Sequence, residues 1–320
     1  MLTQRQTIGT DINPLAQLVA QAKTTIFTNA DFSSIQRWLD ITMPKLKLRG
    51  QPQNRIDEWA ERGYQKDVPW RIRNIIRVAL AEIPNLETEQ QRSFVRCALL
   101  KTGRWALDCK EWVPSVERFR TAFYQDLMEA LAGAEELRNA IGRRKPKVVC
   151  LDIPAASLTP SLWKDRIKGR ASLIVTSPPY PGVNVLYHRW QIGGRKATPA
   201  PYWIADRLDG NGLKYYTMGG PSQIGFKEYF LSIENTFQQL RKLLKPDGTV
   251  VQLIGFSNVD EQLPLYLDAM LKAGFTEVPV NPTSDIQERI WRQIPSRRWY
   301  ATFKGQISSS QEILLIHQKS

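Results

Sequence analysis

The 320-residue chain predicts an α/β fold, a doubly wound Rossmann-like sheet with a helical insertion. Three observations predict it. Short apolar runs of strand type alternate with amphipathic helices after Gly142. The same strand–turn–helix pattern opens the chain in RQTIGTDINPLAQLVAQAKTT. Between them, from about Asp31 to Lys145, the periodicity is helical.

Each element has its own reason. The opening strand ends at an acid, Asp11. Asn13 is a good N-cap, and Pro14 fits the first helical position. Leu15, Leu18, Val19 and Ala22 then share one helix face. In the insertion, apolar stripes recur as Ile72, Ile75, Ile76 and Leu80, then Phe94, Val95, Ala98 and Leu99, then Val116, Phe119, Phe123, Leu127 and Leu131. The sheet pattern resumes with strands at Lys147–Ile153 and Ser172–Thr176. A polar, glycine-rich loop follows over 181–222. Phe226–Lys245 reads as an amphipathic helix with Phe230, Ile233, Phe237, Leu240 and Leu244 inward. Pro246–Gly248 turns it into the strand TVVQLIGF. A helix over about Asp260–Ala273 and strands in TEVPV and EILLIHQ complete the pattern. The organisation expected is a start of the core at 1–30, the helical insertion at 31–145, and the rest of the core at 146–320.

Composition excludes several classes. No run of 18 apolar residues exists, so no membrane span is expected, and no secretory leader is visible. Cys97, Cys109 and Cys150 lie far apart, and His188 and His317 are the only histidines. This speaks for reduced cysteines in the cytoplasm and against a metal site. The net charge of +13, from 44 basic and 31 acidic residues, favours a polyanionic partner. Basic and aromatic residues cluster in YHRWQIGGRK (Tyr187–Lys196) and RIWRQIPSRRWYATFKG (Arg289–Gly305), a composition suited to phosphate contact and base stacking.

The chemistry-bearing stretch is ASLIVTSPPYPGV, Ala171–Val183, where a strand stops at Ser177-Pro178-Pro179-Tyr180. In a doubly wound sheet, ligands sit beyond the carboxyl ends of the strands. Asp11, Asp152 and Ser177–Tyr180 all fall at such ends. The proline pair is rigid and donates no backbone hydrogen bond. Ser177 adds a hydroxyl acceptor, and Tyr180 a flat face with a polar tip. Together they form a clamp for a planar group bearing an amine. The amine donates to the Ser177 hydroxyl and the Pro178 carbonyl while the ring stacks on Tyr180. A nitrogen held so can attack an electrophilic methyl without a cysteine nucleophile.

TSPPY resembles the catalytic motif of the DNA amino-methyltransferases, which methylate N4 of cytosine or N6 of adenine. The serine in first place leans toward cytosine. GTDINPLAQLVAQAKT is similar to the segment after that family's glycine-rich cofactor loop, and VVCLDIPAASL to its next motif. LRKLLKPDGTVVQLIGF is similar to the helix–turn–strand that follows catalysis in class I methyltransferases. The resemblance implies S-adenosyl-L-methionine as cofactor, with Asp11 and Asn13 near its ribose and Asp152 and Ile153 near its adenine. It implies double-stranded DNA as partner, in a restriction-modification setting. The loop carrying His188, Arg189, Trp190, Arg195 and Lys196, with Tyr202, Trp203, Tyr215 and Tyr216, would lie over the active-site mouth. The chain departs from the family at one point. The glycine-rich loop, of the form Asp-Pro-Phe-x-Gly-x-Gly-Thr, is found neither before Asp11 nor downstream. The sheet is then incomplete at its first strand, leaving edges on the strand before Asp11 and on Ser172–Thr176. A second polypeptide supplying the motif, an upstream start and a truncated remnant all fit. Two other functions stay open: methylation of RNA or of a protein glutamine, and a non-catalytic DNA-binding remnant.

Overall fold

The structure is a computed structural model that describes residues 5–48, 58–144, 146–182, 188–194, 197–210, 216–219, 222–280, 289–293 and 311–320. In chain order the elements begin with β1 (Thr7–Thr10), α1 (Pro14–Thr24), α2 (Asn29–Thr42) and α3 (Glu58–Glu61). Next come α4 (Trp70–Glu82), α5 (Glu89–Leu107), α6 (Val116–Ile141) and β2 (Val148–Leu151). Then follow α7 (Pro160–Lys164), β3 (Ala171–Thr176), β4 (Trp190–Gln191), β5 (Ala197–Thr198) and α8 (Ala200–Ala205). The last are α9 (Gln223–Leu243), β6 (Leu244–Ile254), α10 (Val259–Lys272), β7 (Phe275–Val278), β8 (Ile290–Gln293) and β9 (Gln311–Lys319). The protein is a mixed α/β chain, and the chain divides into two compact units.

The first unit comprises Met1–Asp152 and Leu186–Gly210. β1 and β2 pair in parallel, from Thr7 opposite Val148 to Thr10 opposite Leu151. Asn13 caps α1 by accepting from the Leu15 N–H at 2.9 Å, with Pro14 as first helical residue. Two further helices open on capping boxes, Thr28 with Asp31 on α2 and Thr88 with Gln91 on α5. Their apolar stripes meet in one core, where Phe27 packs edge-on to Phe94 and Trp38 edge-on to Phe123. Trp38 lies in that core because its indole N–H finds the Glu82 carbonyl at 2.8 Å. The core extends beyond 31–145: Ala22 of α1, Trp190 of β4 and Trp203 and Ile204 of α8 belong to it.

The second unit comprises Ile153–Val185 and Asn211–Ser320. Its five-stranded mixed sheet has the order β3-β6-β9-β7, with β8 also paired to β9. β3 and β6 run parallel, joined through α9, and β9 is antiparallel to β6. The other edge of β9 takes β8 along its first half and β7 along its second. α9 buries Tyr229, Ile233 and Phe237, and Phe237 meets Phe275 of β7 edge-on.

Pro246–Gly248 is not a turn ahead of a strand. β6 already starts at Leu244, and its register against β3 slips between Ala171 opposite Leu244 and Leu173 opposite Thr249. Gly248 permits the bulge: a Cβ there would clash with the Leu244 side chain.

β3 bonds β6 along one edge, and among the described residues no strand pairs with the other. Leu173 and Val175, two residues apart on one face, are 43% and 71% exposed. β1 likewise pairs only with β2 among the described residues. No described helix is long and apolar enough to cross a membrane.

Candidate active site

In the second unit the corner at the exit of β3 is held at each residue. The Ser177 hydroxyl donates to the Leu253 carbonyl of β6 at 2.8 Å. That bond uses its proton and leaves the oxygen lone pairs as acceptors. Pro178 is buried. The Pro179 carbonyl accepts from the Tyr229 hydroxyl of α9 at 2.8 Å. Burial pushes the Tyr229 phenol well above its ordinary range, so it stays a donor. The Tyr180 hydroxyl donates to Glu312 Oε1, at the start of β9. Glu312 is itself buried, and its other oxygen accepts from Arg292 Nε at 2.9 Å. The Tyr180 ring comes so close to Gly255 that a Cβ there would stand 2.8 Å from the ring and 3.1 Å from the Gln311 carbonyl. Ser177 is exposed and Tyr180 half-buried, so the corner presents a hydroxyl acceptor and part of an aromatic ring to solvent.

In the first unit the parallel pairing of β1 and β2 brings Asp11 and Asp152 together at neighbouring carboxyl ends. The Asp11 carboxylate accepts from the Asn13 N–H at 2.8 Å. Burial raises its pKa above the ordinary 3.8, and the charge of Asp152 adds to the rise. A ligand that donates hydroxyl hydrogens here would relieve a crowded pair of acids. Asn13 is almost fully buried, and its side-chain carbonyl is taken by the helix cap. Its part is therefore to position Asp11 and α1, not to reach a ligand. Ile153 belongs to the second unit.

The residues expected to meet nucleic acid need correction. His188 and Trp190 are 2% and 3% exposed. His188 stacks edge-on with Tyr202, and Trp190 packs where Gly103 leaves room, a Cβ at 103 falling 2.8 Å from its ring. Arg189 is ion-paired with Asp209, both side chains buried. All six residues of α8, including Tyr202 and Trp203, are buried, and so is Tyr216. These side chains are buried instead of facing a substrate. Aromatic and basic residues so close together look alike in sequence whether they are surface or core. Arg195, Lys196 and Tyr215 lie outside the described residues.

Sequence reasoning missed Glu312, Tyr229 and Gly255, and it assigned Arg292 to a phosphate-contacting stretch where the structure pairs it with Glu312. A single hint was available: Glu312 is an acid at the start of the apolar strand EILLIHQ, a costly place for a carboxylate without partners. Among the described residues no group of three metal-binding side chains occurs.

The chain matches no protein-family model, and no curated protein matches it.

Proposed function

We propose that the chain is the catalytic part of an S-adenosylmethionine-dependent methyltransferase acting on an exocyclic amine of a DNA base, with cytosine N4 favoured over adenine N6. The observation that carries this reading is the braced Ser177-Pro178-Pro179-Tyr180 corner at the carboxyl end of β3. The bound cofactor supplies an electrophilic methyl on a sulfonium. Ser177 Oγ, its proton already given to Leu253, accepts one N–H of the target amine, and the Pro178 carbonyl accepts the other. Two acceptors on one amine raise electron density at the nitrogen that attacks. Tyr180, pinned by Glu312 and Gly255, offers the face on which the base stacks. The base must leave its duplex to reach the corner. The proton that the methylated nitrogen sheds passes to solvent at exposed Ser177.

In the first unit, taken by itself, Asp11 and Asp152 suit a hydroxyl-bearing ligand such as a ribose, since the crowded acids gain from a donor. The methionine end lacks its glycine-rich loop within these 320 residues. A segment outside this sequence supplies it in the present reading. The edge of β3 that no described strand pairs supports that supply, as an edge that can take a neighbour. The same two facts favour one alternative, a DNA-binding relic without methyl transfer.

The deciding measurement is transfer of labelled methyl to duplex DNA, with a polypeptide carrying the glycine-rich motif present. Ser177→Ala is expected to lower the rate on the order of 100-fold. No transfer with the motif supplied would favour the relic. Transfer to RNA or to a glutamine-bearing protein in preference to DNA would reassign the substrate.

A further inference from the structure

We infer that a cleft at the amino-terminal ends of the parallel strands of the second unit is a second site, one that holds the phosphates of a nucleic acid. The inference does not rest on the methyl-transfer reading. The cleft has a volume of about 900 Å³, its cationic lining is Lys164, Arg170, Arg241, Lys242, Lys272 and Lys319, and no carboxylate lines it among the described residues. Five chain segments converge there. Arg170 directly precedes β3, Lys164 ends α7, Arg241 and Lys242 lie in the last turn of α9, and Lys272 ends α10. Lys319 closes β9, which runs the other way. The Ser177 corner stands at the opposite end of β3, about 20 Å off for six extended residues.

Local structure accounts for only part of this charge. Helix carboxyl ends attract cations, each end carrying about half a negative charge. The two long helices, α9 and α10, therefore offset about one unit. Lys272 is paired with Asp268 at 2.7 Å. Arg241 is engaged with the Gly274 carbonyl at 3.2 Å and with the Ser320 carbonyl at 2.9 Å. The remaining cations, Lys164, Arg170, Lys242 and Lys319, meet no carboxylate among the described residues. Lys319 bonds two backbone carbonyls, and burial with the charges of Arg241 and Arg170 holds its pKa below the ordinary 10.5. Positive charge is thus concentrated beyond what the fold uses.

The lining also points to the class of ligand. Small-molecule pockets are mainly apolar with a few polar groups. Here six charged side chains, all cationic, share the lining with Trp163 and a few apolar groups. Trp163 lines the same cleft, with its indole N–H fixed on the Gly169 carbonyl at 2.7 Å. Cations beside an aromatic ring are what a nucleic-acid strand uses, through backbone and base.

The test is fluorescence anisotropy of a labelled duplex and of a single-stranded oligonucleotide over a salt series, with the full chain. The variant is Lys164→Gln/Arg170→Gln/Lys242→Gln, which among the described residues removes no bond to backbone or carboxylate. Binding of at least one oligonucleotide should weaken tenfold or more at low salt. The slope of log K against log salt should shrink by roughly 2–3, close to one per phosphate lost. Unchanged affinity and slope would overturn the site. Displacement of the oligonucleotide by an equal concentration of tripolyphosphate would overturn the nucleic-acid assignment in favour of a small anion. Equal binding of polyglutamate through the same residues would overturn it in favour of an acidic polypeptide. Should the triple variant fold poorly, acetylation footprinting of the unaltered protein decides: oligonucleotide should protect Lys164 and Lys242, and lack of protection counts against the site.

Discussion

Gly255 sets how near Tyr180 can stand to the end of β6. A methyl at 255 would meet the ring at 2.8 Å and the Gln311 carbonyl at 3.1 Å. The carbonyl is backbone and cannot yield cheaply, so the ring must. Gly255→Ala is therefore expected to displace Tyr180 and lower methyl transfer without touching substrate itself. Tyr180→Ala removes the stacking face, worth roughly 1–3 kcal/mol, or about 5- to 150-fold in rate. Tyr180→Phe keeps the face and loses the bond to Glu312, so its loss should be smaller. Single-turnover rates with the glycine-rich segment supplied rank the three. A Tyr180→Phe defect equal to that of Tyr180→Ala would mean the hydroxyl, not the ring, is what matters. These dependencies were not legible in the sequence. Tyr180, Gly255 and Glu312 lie up to 132 residues apart, and only folding shows that they touch.

At the scale of elements, the exposed edge and face of β3 carry the main consequence. Leu173 and Val175 are apolar, exposed and on one face. Burying each fully would stabilise an added strand or helix by about 1.5–3 kcal/mol. An edge that no described strand pairs also invites pairing with another chain. The chain alone is expected to associate with itself and to bind S-adenosylmethionine weakly. A polypeptide bearing a strand and the glycine-rich motif should restore donor binding, measured by calorimetry. Val175→Lys should improve solubility of the chain alone and weaken that rescue tenfold or more. Tight donor binding by the unaltered chain alone would end the split-site idea. β1, β2, β3, β6, β7 and β9 were readable as apolar runs, as ASLIVT stops at Pro178-Pro179, whereas the short β4, β5 and β8 were not. α9 was readable from its apolar spacing, and extends from Gln223 to Leu243. What could not be read was the fate of residues 188–205. Their aromatic and basic composition suits a binding loop and a helical core equally. Gly103, which makes room for Trp190, lies 87 positions earlier in the sequence.

The whole molecule carries one buried histidine in each unit, and acid acts on both. His188 lies in the first unit and His317 on β9 in the second, and each pKa is held at about 4, below the ordinary 6.5. Burial is the main cause for both. Around His188 the Arg189 charge lowers the pKa further and Asp209 opposes it, while around His317 Glu277 opposes and Arg289 lowers. Neither nitrogen of His317 has a hydrogen-bond partner among the described residues, as suits a neutral ring. The sign follows from linkage. Between pH 6.5 and about 4 the unfolded chain binds protons that the folded chain refuses, so stability is full above 6.5 and falls as pH drops through that window. For His317 the loss from pH 8 to pH 5 is on the order of 2 kcal/mol. Unfolding in acid also adds two imidazolium charges to a chain already at +13, which favours the expanded state. Urea unfolding at pH 8, 6 and 5 tests this, with near-ultraviolet signals followed separately from helix content. His317→Leu should change stability little at pH 8 and exceed the parent at pH 5 by about 2 kcal/mol, with β-sheet signals the most affected. His188→Gln should flatten the pH dependence of the helical signal instead. If His317→Leu loses stability between pH 8 and pH 5 as steeply as the parent, the acid sensitivity lies in other groups, and the buried imidazole on β9 is not its source.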